Sequence, residues 1–347
     1  MTQALLAAAL FGASAPLSKL LLGEVQPIPL AALLYLGSGF GMLAYRTLLP
    51  KGPQGTRKEA VIRRTDAPWL AGAVLAGGVL APIILLFSLQ ATPAATASLL
   101  LNFEAVATTL IAALAFREAI SKRVWGAIAC TTVASILLSW QAGSEWGISL
   151  GALGILLACI LWGLDNNFTR NVSAKDPTAI VMIKGLAAGA FSLALTALLG
   201  QPLPGVGLVF AGLLLGAFSY GLSIMLFVRA MRGLGAARTS ALFGAAPFVG
   251  AALAFLLFRE NFSLLALIAV PIMVLGTLML VGESHSHAHW HTEIEHEHSH
   301  THDEAHHDHT HSGAVPAGSH SHKHRHPSLL HEHPHTPDIH HRHGHSE

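Results

Sequence analysis

Residues 94–121 read AATASLLLNFEAVATTLIAALAFREAIS, and residues 236–263 read AARTSALFGAAPFVGAALAFLLFRENFS. These are two versions of one segment. Ala94-Ala95-Thr96-Ala97-Ser98 matches Ala236-Ala237-Arg238-Thr239-Ser240, and Ala115-Phe116-Arg117-Glu118 through Ser121 matches Leu257-Phe258-Arg259-Glu260 through Ser263. Both matches hold at one constant offset, and Leu86-Phe87 and Leu226-Phe227 precede the two copies. Phe11-Gly12 against Trp162-Gly163 is a looser match further upstream. Apolar helices resemble one another by chance, but a polar Phe-Arg-Glu landmark followed by serine at the same place in both copies is harder to obtain that way.

Around this repeat the chain is a series of apolar stretches of about 20 residues with short breaks, the pattern of membrane-spanning helices. It is 52% hydrophobic and 11% charged over 347 residues. Ten spans are expected, at 3–22, 28–49, 67–89, 94–116, 122–140, 148–170, 177–199, 207–231, 236–258 and 263–282. The expected fold is an all-α integral membrane protein: repeats over 1–141 and 147–282, then a tail over 283–347. Five spans per repeat is an odd number, so the second repeat must insert inverted, a recurring plan among secondary transporters with the substrate site near the midplane. The run Leu5 to Leu10 before Ala13-Ser14-Ala15 has the look of a signal peptide. No Lys or Arg precedes it, and it has a counterpart later in the chain, so it reads as a retained first helix.

Lys and Arg set the orientation. With the N-terminus inside, fourteen of them, from Arg46 and Lys51 to Arg232 and Arg238, fall on the cytoplasmic side, against Lys19 and Arg259 opposite. This predicts a multi-pass cell (inner) membrane protein with both termini cytoplasmic. Its partners are then the lipid bilayer, a small solute and metal ions; a net charge of +1 gives no sign of nucleic-acid binding. Cys130 and Cys159 lie in apolar segments and form no disulfide framework. Pro16, Pro82, Pro247 and Pro271 fall inside spans and permit kinks. Gly185-x-x-x-Gly189 and Gly212-x-x-x-Gly216 permit close helix approach.

The arrangement resembles the drug/metabolite transporter superfamily, specifically its EamA-like proteins. The likeness covers about residues 3–282 and rests on the two repeats and the Phe116-Arg117-Glu118 and Phe258-Arg259-Glu260 endings. It extends to Ser98-Leu-Leu-Leu-Asn102-Phe-Glu104 and Trp162-Gly-Leu-Asp165-Asn166-Asn167. The resemblance implies ten helices in two inverted five-helix repeats and a carrier of small molecules, often an exporter of metabolites or toxic compounds. Where many members have proline in the fourth helix, this chain has Asn102-Phe-Glu104; Pro247 remains in the ninth.

Charges inside a bilayer cost a few kcal/mol or more, so they are candidates for function. Glu104 lies ten residues into the fourth span, roughly 15 Å at 1.5 Å per residue, close to the midplane. A carboxylate there suits proton or cation coupling; the alternative is an ion pair or hydrogen bond that fixes packing. Asp165 near the end of the sixth span and Lys184 two turns into the seventh lie at similar depth and make a reasonable pair. That pair either neutralises two charges or lines a substrate path together with Asn102, Asn166 and Asn167. Glu118 and Glu260 read as helix-end or ion-pairing residues, and Trp162 and Tyr220 as residues of interfacial or core packing, with stacking on an organic substrate as the alternative. No nucleophile–base constellation or phosphate loop appears, so an enzyme is not expected.

All 23 histidines lie between His285 and His345, and none occurs anywhere before that segment. His285, His287, His289, His291, His296, His298, His300, His302, His307, His309, His311, His320, His322, His324 and His326 form repeated His-x-His steps. Neutral imidazole binds zinc, nickel, cobalt and copper well. With Pro316, Pro327, Pro334 and Pro337 and few apolar residues, the tail is expected to be disordered without metal. Three functions follow. The first is a secondary transporter, outward, for a small metabolite or toxic organic solute, with a metal-binding tail and no required cofactor. The second is an exporter of nickel, cobalt or zinc whose tail collects the ion. The third is a membrane-anchored metal buffer or sensor. The histidine-free core favours organic solute; the tail favours metal.

Overall fold

The computed structural model describes residues 1–48, 60–116, 122–140, 149–172, 175–234, 242–260 and 263–281, and in the tail 285–291, 294–300, 320–326 and 329–335. Among these residues the body is helical. Its segments are α1 Thr2–Leu21, α2 Pro27–Leu48, α3 Arg64–Ala91, α4 Ala94–Ala115, α5 Lys122–Ser139, α6 Leu150–Arg170, α7 Pro177–Leu198, α8 Val206–Ala230, α9 Ala246–Phe258 and α10 Leu264–Val281. Seven of them, α1 to α4 and α6 to α8, are long and apolar enough to cross a membrane. The other three differ: α5 opens on Lys122 and Arg123, α9 has 13 described residues, and α10 is a shorter apolar helix.

The contacts keep their pattern when the two halves are exchanged. α2 packs on α7, α4 on α9 and α5 on α10; α1 packs on α8 and α9 as α6 packs on α3 and α4. The halves therefore interlock, each lending its first helix to the other. A second sign of the repeat was not visible in composition: α3 carries a π-helical stretch, Val74–Leu80, and α8 another, Gly216–Leu222. Val74 and Gly216 are separated by the same offset as Ala94 and Ala236 of the sequence repeat. A π turn admits an extra residue and frees carbonyls from the regular ladder. Pro82 follows the first stretch, but Ile224 stands at the matching place in the second, so proline is not the common cause.

Small residues let these helices approach. A Cβ added at Gly185 would lie 2.5 Å from the Gly39 nitrogen, so α2 and α7 meet backbone to backbone. In lipid, where apolar association gains little, such packing is what holds helices together. Hydroxyls add to it: Ser219 and Ser223 of α8 donate to the Leu10 and Ala7 carbonyls of α1 at 2.7 and 2.8 Å. Phe87, Phe191, Leu214, Phe218 and Leu275 are exposed on the outer surface, where hydrocarbon is their matching solvent.

Among the tail's described residues the backbone forms four short strands. Residues β1 His285–His291 pair antiparallel with β4 Leu329–His335, and β2 Ile294–His300 with β3 His320–His326.

Candidate functional site

Glu104 is placed by a break in α4. The helix runs from Ala94 to Leu100, turns at Leu101 and Asn102, and resumes at Phe103. Asn102, Glu104 and Ala105 donate their backbone N–H groups three residues back, to Leu99, Leu101 and Asn102, at 3.1 to 3.3 Å. This tightened turn breaks the helix without a proline. Glu104 consequently sits in the first turn of the second segment, where the helix dipole favours negative charge. α9 turns at Gly244 and Ala245 before Pro247, so both fourth helices of the repeats are interrupted at comparable depth.

Glu104 meets α6 through an amide. Asn166 donates from Nδ2 to Glu104 Oε1 at 2.9 Å and to Thr108 Oγ1 at 3.0 Å. Asn167 serves packing geometry: its Nδ2 reaches the Thr108 carbonyl of α4 at 3.0 Å and the Gly163 carbonyl of its own helix at 2.8 Å. Asn102 is not brought to this cluster. Its amide lies 3.7 Å from the Met273 sulfur of α10.

Asp165 and Lys184 do meet. Lys184 Nζ lies 2.5 Å from Asp165 Oδ1, and Thr169 Oγ1 donates to the same oxygen at 2.9 Å. Asp165 is buried. The space for its carboxylate comes from Gly77, where any Cβ would overlap it. The Gly77 carbonyl, in the π-helical stretch, accepts from Tyr35 Oη at 2.6 Å and from Trp162 Nε1 at 3.0 Å. Trp162 is thereby a structural donor, and Tyr220 packs against Tyr35 and Phe11 with centroids 5.6 and 6.1 Å apart. Tyr35 and Gly77 escaped the sequence reading; the Gly77-Gly78 pair inside an apolar span was their one signal.

The cluster joins both halves: Glu104 and Gly77 from the first, Asp165, Asn166 and Lys184 from the second. It contains two acids and one base, and the base is bonded to Asp165. Glu104 therefore has an amide partner, not a cation.

A second charged group lies at the end of the bundle where α1 and α9 finish. Arg259 adopts a left-handed conformation, φ 52°, which stops α9 and turns the chain. Glu260 then accepts from the N–H groups of Ala94 and Ala95, each at 2.8 Å. Pro93 precedes α4 and offers no side-chain acceptor, so this helix start is capped from the opposite repeat. Lys19 of α1 donates to the Thr92 carbonyl and interacts electrostatically with Glu260. Of the two roles expected for Glu260, helix end or ion pairing, the contacts show the first, at the start of a helix of the opposite repeat. Glu118 lies outside the described residues, as do His302, His307, His309 and His311. Within the helical body, no group of three or more metal-ligating side chains converges among the described residues.

A family model described as the EamA-like transporter family matches residues 1–140 and again 149–282. The chain belongs to this family. As an EamA-like protein it is a multi-pass membrane protein that moves a small solute across the bilayer. It is similar to an uncharacterized transporter of Methanothermobacter thermautotrophicus (strain Delta H), 29% identical over 283 residues that cover 78% of this chain and 82% of the relative. A solved crystal structure shares the fold at a TM-score of 0.55 and 20% identity, covering 80% of this chain and 94% of the other.

Proposed function

We propose that this EamA-like protein is a ten-span secondary carrier that exports a small organic metabolite or toxic solute, with both termini in the cytoplasm of a cell bounded by the inner membrane. Glu104 is the coupling group, binding a proton or a cationic solute, while Asp165 and Lys184 hold the cytoplasmic half of the path and Asn166 relays between them. One observation carries this reading. Glu104 sits at an interrupted helix between the halves, bonded to Asn166 and not to the lysine nearby. A carboxylate so placed gains by taking up a proton or cation, and releasing it reverses the gain. The tail captures divalent transition metal on the cytoplasmic side.

Cells bearing the full protein, a form ending at Gly282, and Glu104→Gln are compared for accumulation of organic metabolites and of zinc, nickel and cobalt. Organic export predicts lowered solute accumulation that is lost in Glu104→Gln and kept without the tail. If Glu104 governs the level of a metal and of no organic solute, the body is a metal exporter instead. Unchanged solute and metal levels in all three would leave only a membrane-anchored store.

A further inference from the structure

The three helices that carry the Lys19–Glu260 group are all interrupted. α1 is divided at Ala13 into Thr2–Gly12 and Ser14–Leu21, α4 turns at Leu101 and Asn102, and α9 turns at Gly244 and Ala245. They converge near those breaks. A Cβ added at Gly250 of α9 would lie 2.6 Å from the Gly12 carbonyl oxygen of α1 and 2.8 Å from Ser98 Oγ of α4. From there three short arms run to the end of the bundle: Ser14–Leu21, Ala94–Leu100 and Ala246–Phe258.

The far ends of the arms are tied by side chain to backbone. Glu260 accepts from the Ala94 and Ala95 N–H groups at 2.8 Å, and Lys19 donates to the Thr92 carbonyl. Two of the arms belong to the first repeat and one to the second, so the carboxylate joins the halves. Lys19 and Glu260 are only half-buried, and water can replace the bonds they give up.

Burial changes along α4 at its break. Ala97 to Leu101 are buried, whereas Asn102, Phe103 and Glu104 are half-buried and Ala105 is exposed. Behind the ties lie two buried hydroxyls, Ser18 on α1 and Ser98 on α4, without a hydrogen-bond partner among the described residues. Leaving such groups unsatisfied costs free energy, and an arrangement that admits water supplies what they lack.

Resting on the reading of Glu104 as the carrier's coupling group, we propose that Lys19 and Glu260 are the gate residues at this end of the bundle. They hold the three arms together, and release of Thr92, Ala94 and Ala95 lets the arms part about their breaks and opens a way to Glu104. Inverted-repeat carriers expose their site to one side at a time by moving one repeat against the other. Ties that join the repeats at one end then break in every cycle, whereas a cap that only starts a helix stays in place.

The test follows a single cysteine, Ser98→Cys, in the full-length protein with Cys130 and Cys159 replaced by alanine. Membrane fragments open on both faces are treated with a charged, membrane-impermeant maleimide. A minor state of this kind is populated at about 0.1–10%, so loss of a tie raises it measurably. Glu260→Ala and, separately, Lys19→Met should each speed labelling of Ser98→Cys about tenfold. Ser192→Cys in α7, also buried and without a partner among the described residues, should keep its rate in both. Equal acceleration at the two positions would show general loosening, and an unchanged rate at Ser98→Cys would show a static cap; either overturns the gate. If the labelling follows the gate variants while Glu104→Gln transports normally, the gate stands and the coupling role of Glu104 falls.

Discussion

Replacing Lys184 by methionine keeps the length of the side chain and removes its charge. Asp165 then loses a cation at 2.5 Å and keeps the Thr169 hydroxyl at 2.9 Å. Its side chain is 9% exposed, against 17% for Lys184, so the carboxylate has the poorer route to water. Leaving one member of a buried pair uncompensated costs about 3–5 kcal/mol, whereas replacing both by neutral groups is often close to neutral. Lys184→Met should therefore destabilise by about 3–5 kcal/mol, Asp165→Asn by somewhat less, and the double variant by less than Lys184→Met alone. Thermal unfolding in detergent reads this as a loss of roughly 6–20 °C for Lys184→Met, at about 2–4 °C per kcal/mol. The coupling between the two positions should exceed about 1.5 kcal/mol. Losses that add within about 0.5 kcal/mol would refute a stabilising pair and the geometry drawn for it.

Other outcomes follow from the same contacts. Gly77→Ala places a methyl group on the Asp165 carboxylate; we expect a loss of at least about 1–3 kcal/mol in unfolding, and a normal melting temperature would show that this contact is absent. Glu260→Ala removes both acceptors at the start of α4 and should cost about 1–2 kcal/mol, while Glu260→Gln, which keeps an acceptor, costs less; equal losses would show that only charge matters there. Asn166→Leu strips Glu104 of its amide donor and should slow solute transport about tenfold or more with the protein still folded, read in reconstituted vesicles. A reporter active only outside the cytoplasm, fused after Glu347, should stay silent, and activity there would reverse the orientation.

The Glu104 and Asp165 neighbourhoods show where sequence reasoning worked. Both acids were visible because ionised groups are rare and costly in apolar spans, and the Asp165–Lys184 pairing followed from their depth along helices of known rise. The choice of Asn166 over Lys184 as the partner of Glu104 was not visible, since it depends on how α4 and α6 rotate against each other. Nor was the cap on α4. Glu260 lies far along the chain from Ala94, in the other repeat, and a helix-end role read from sequence does not say which helix is capped.

The sequence by itself determined the division into an apolar body and a histidine tail, and the duplication that sets Ala94 against Ala236. These are properties of composition and periodicity, which the bilayer reads one span at a time. Only the tertiary structure decided that each repeat lends its first helix to the other, and that the π-helical stretch of α3 presents the Gly77 carbonyl to Tyr35 and Trp162. Each of these is a contact between distant parts of the chain. Such contacts are set by which surfaces fit closely and satisfy one another's polar groups, and no local pattern records that fit.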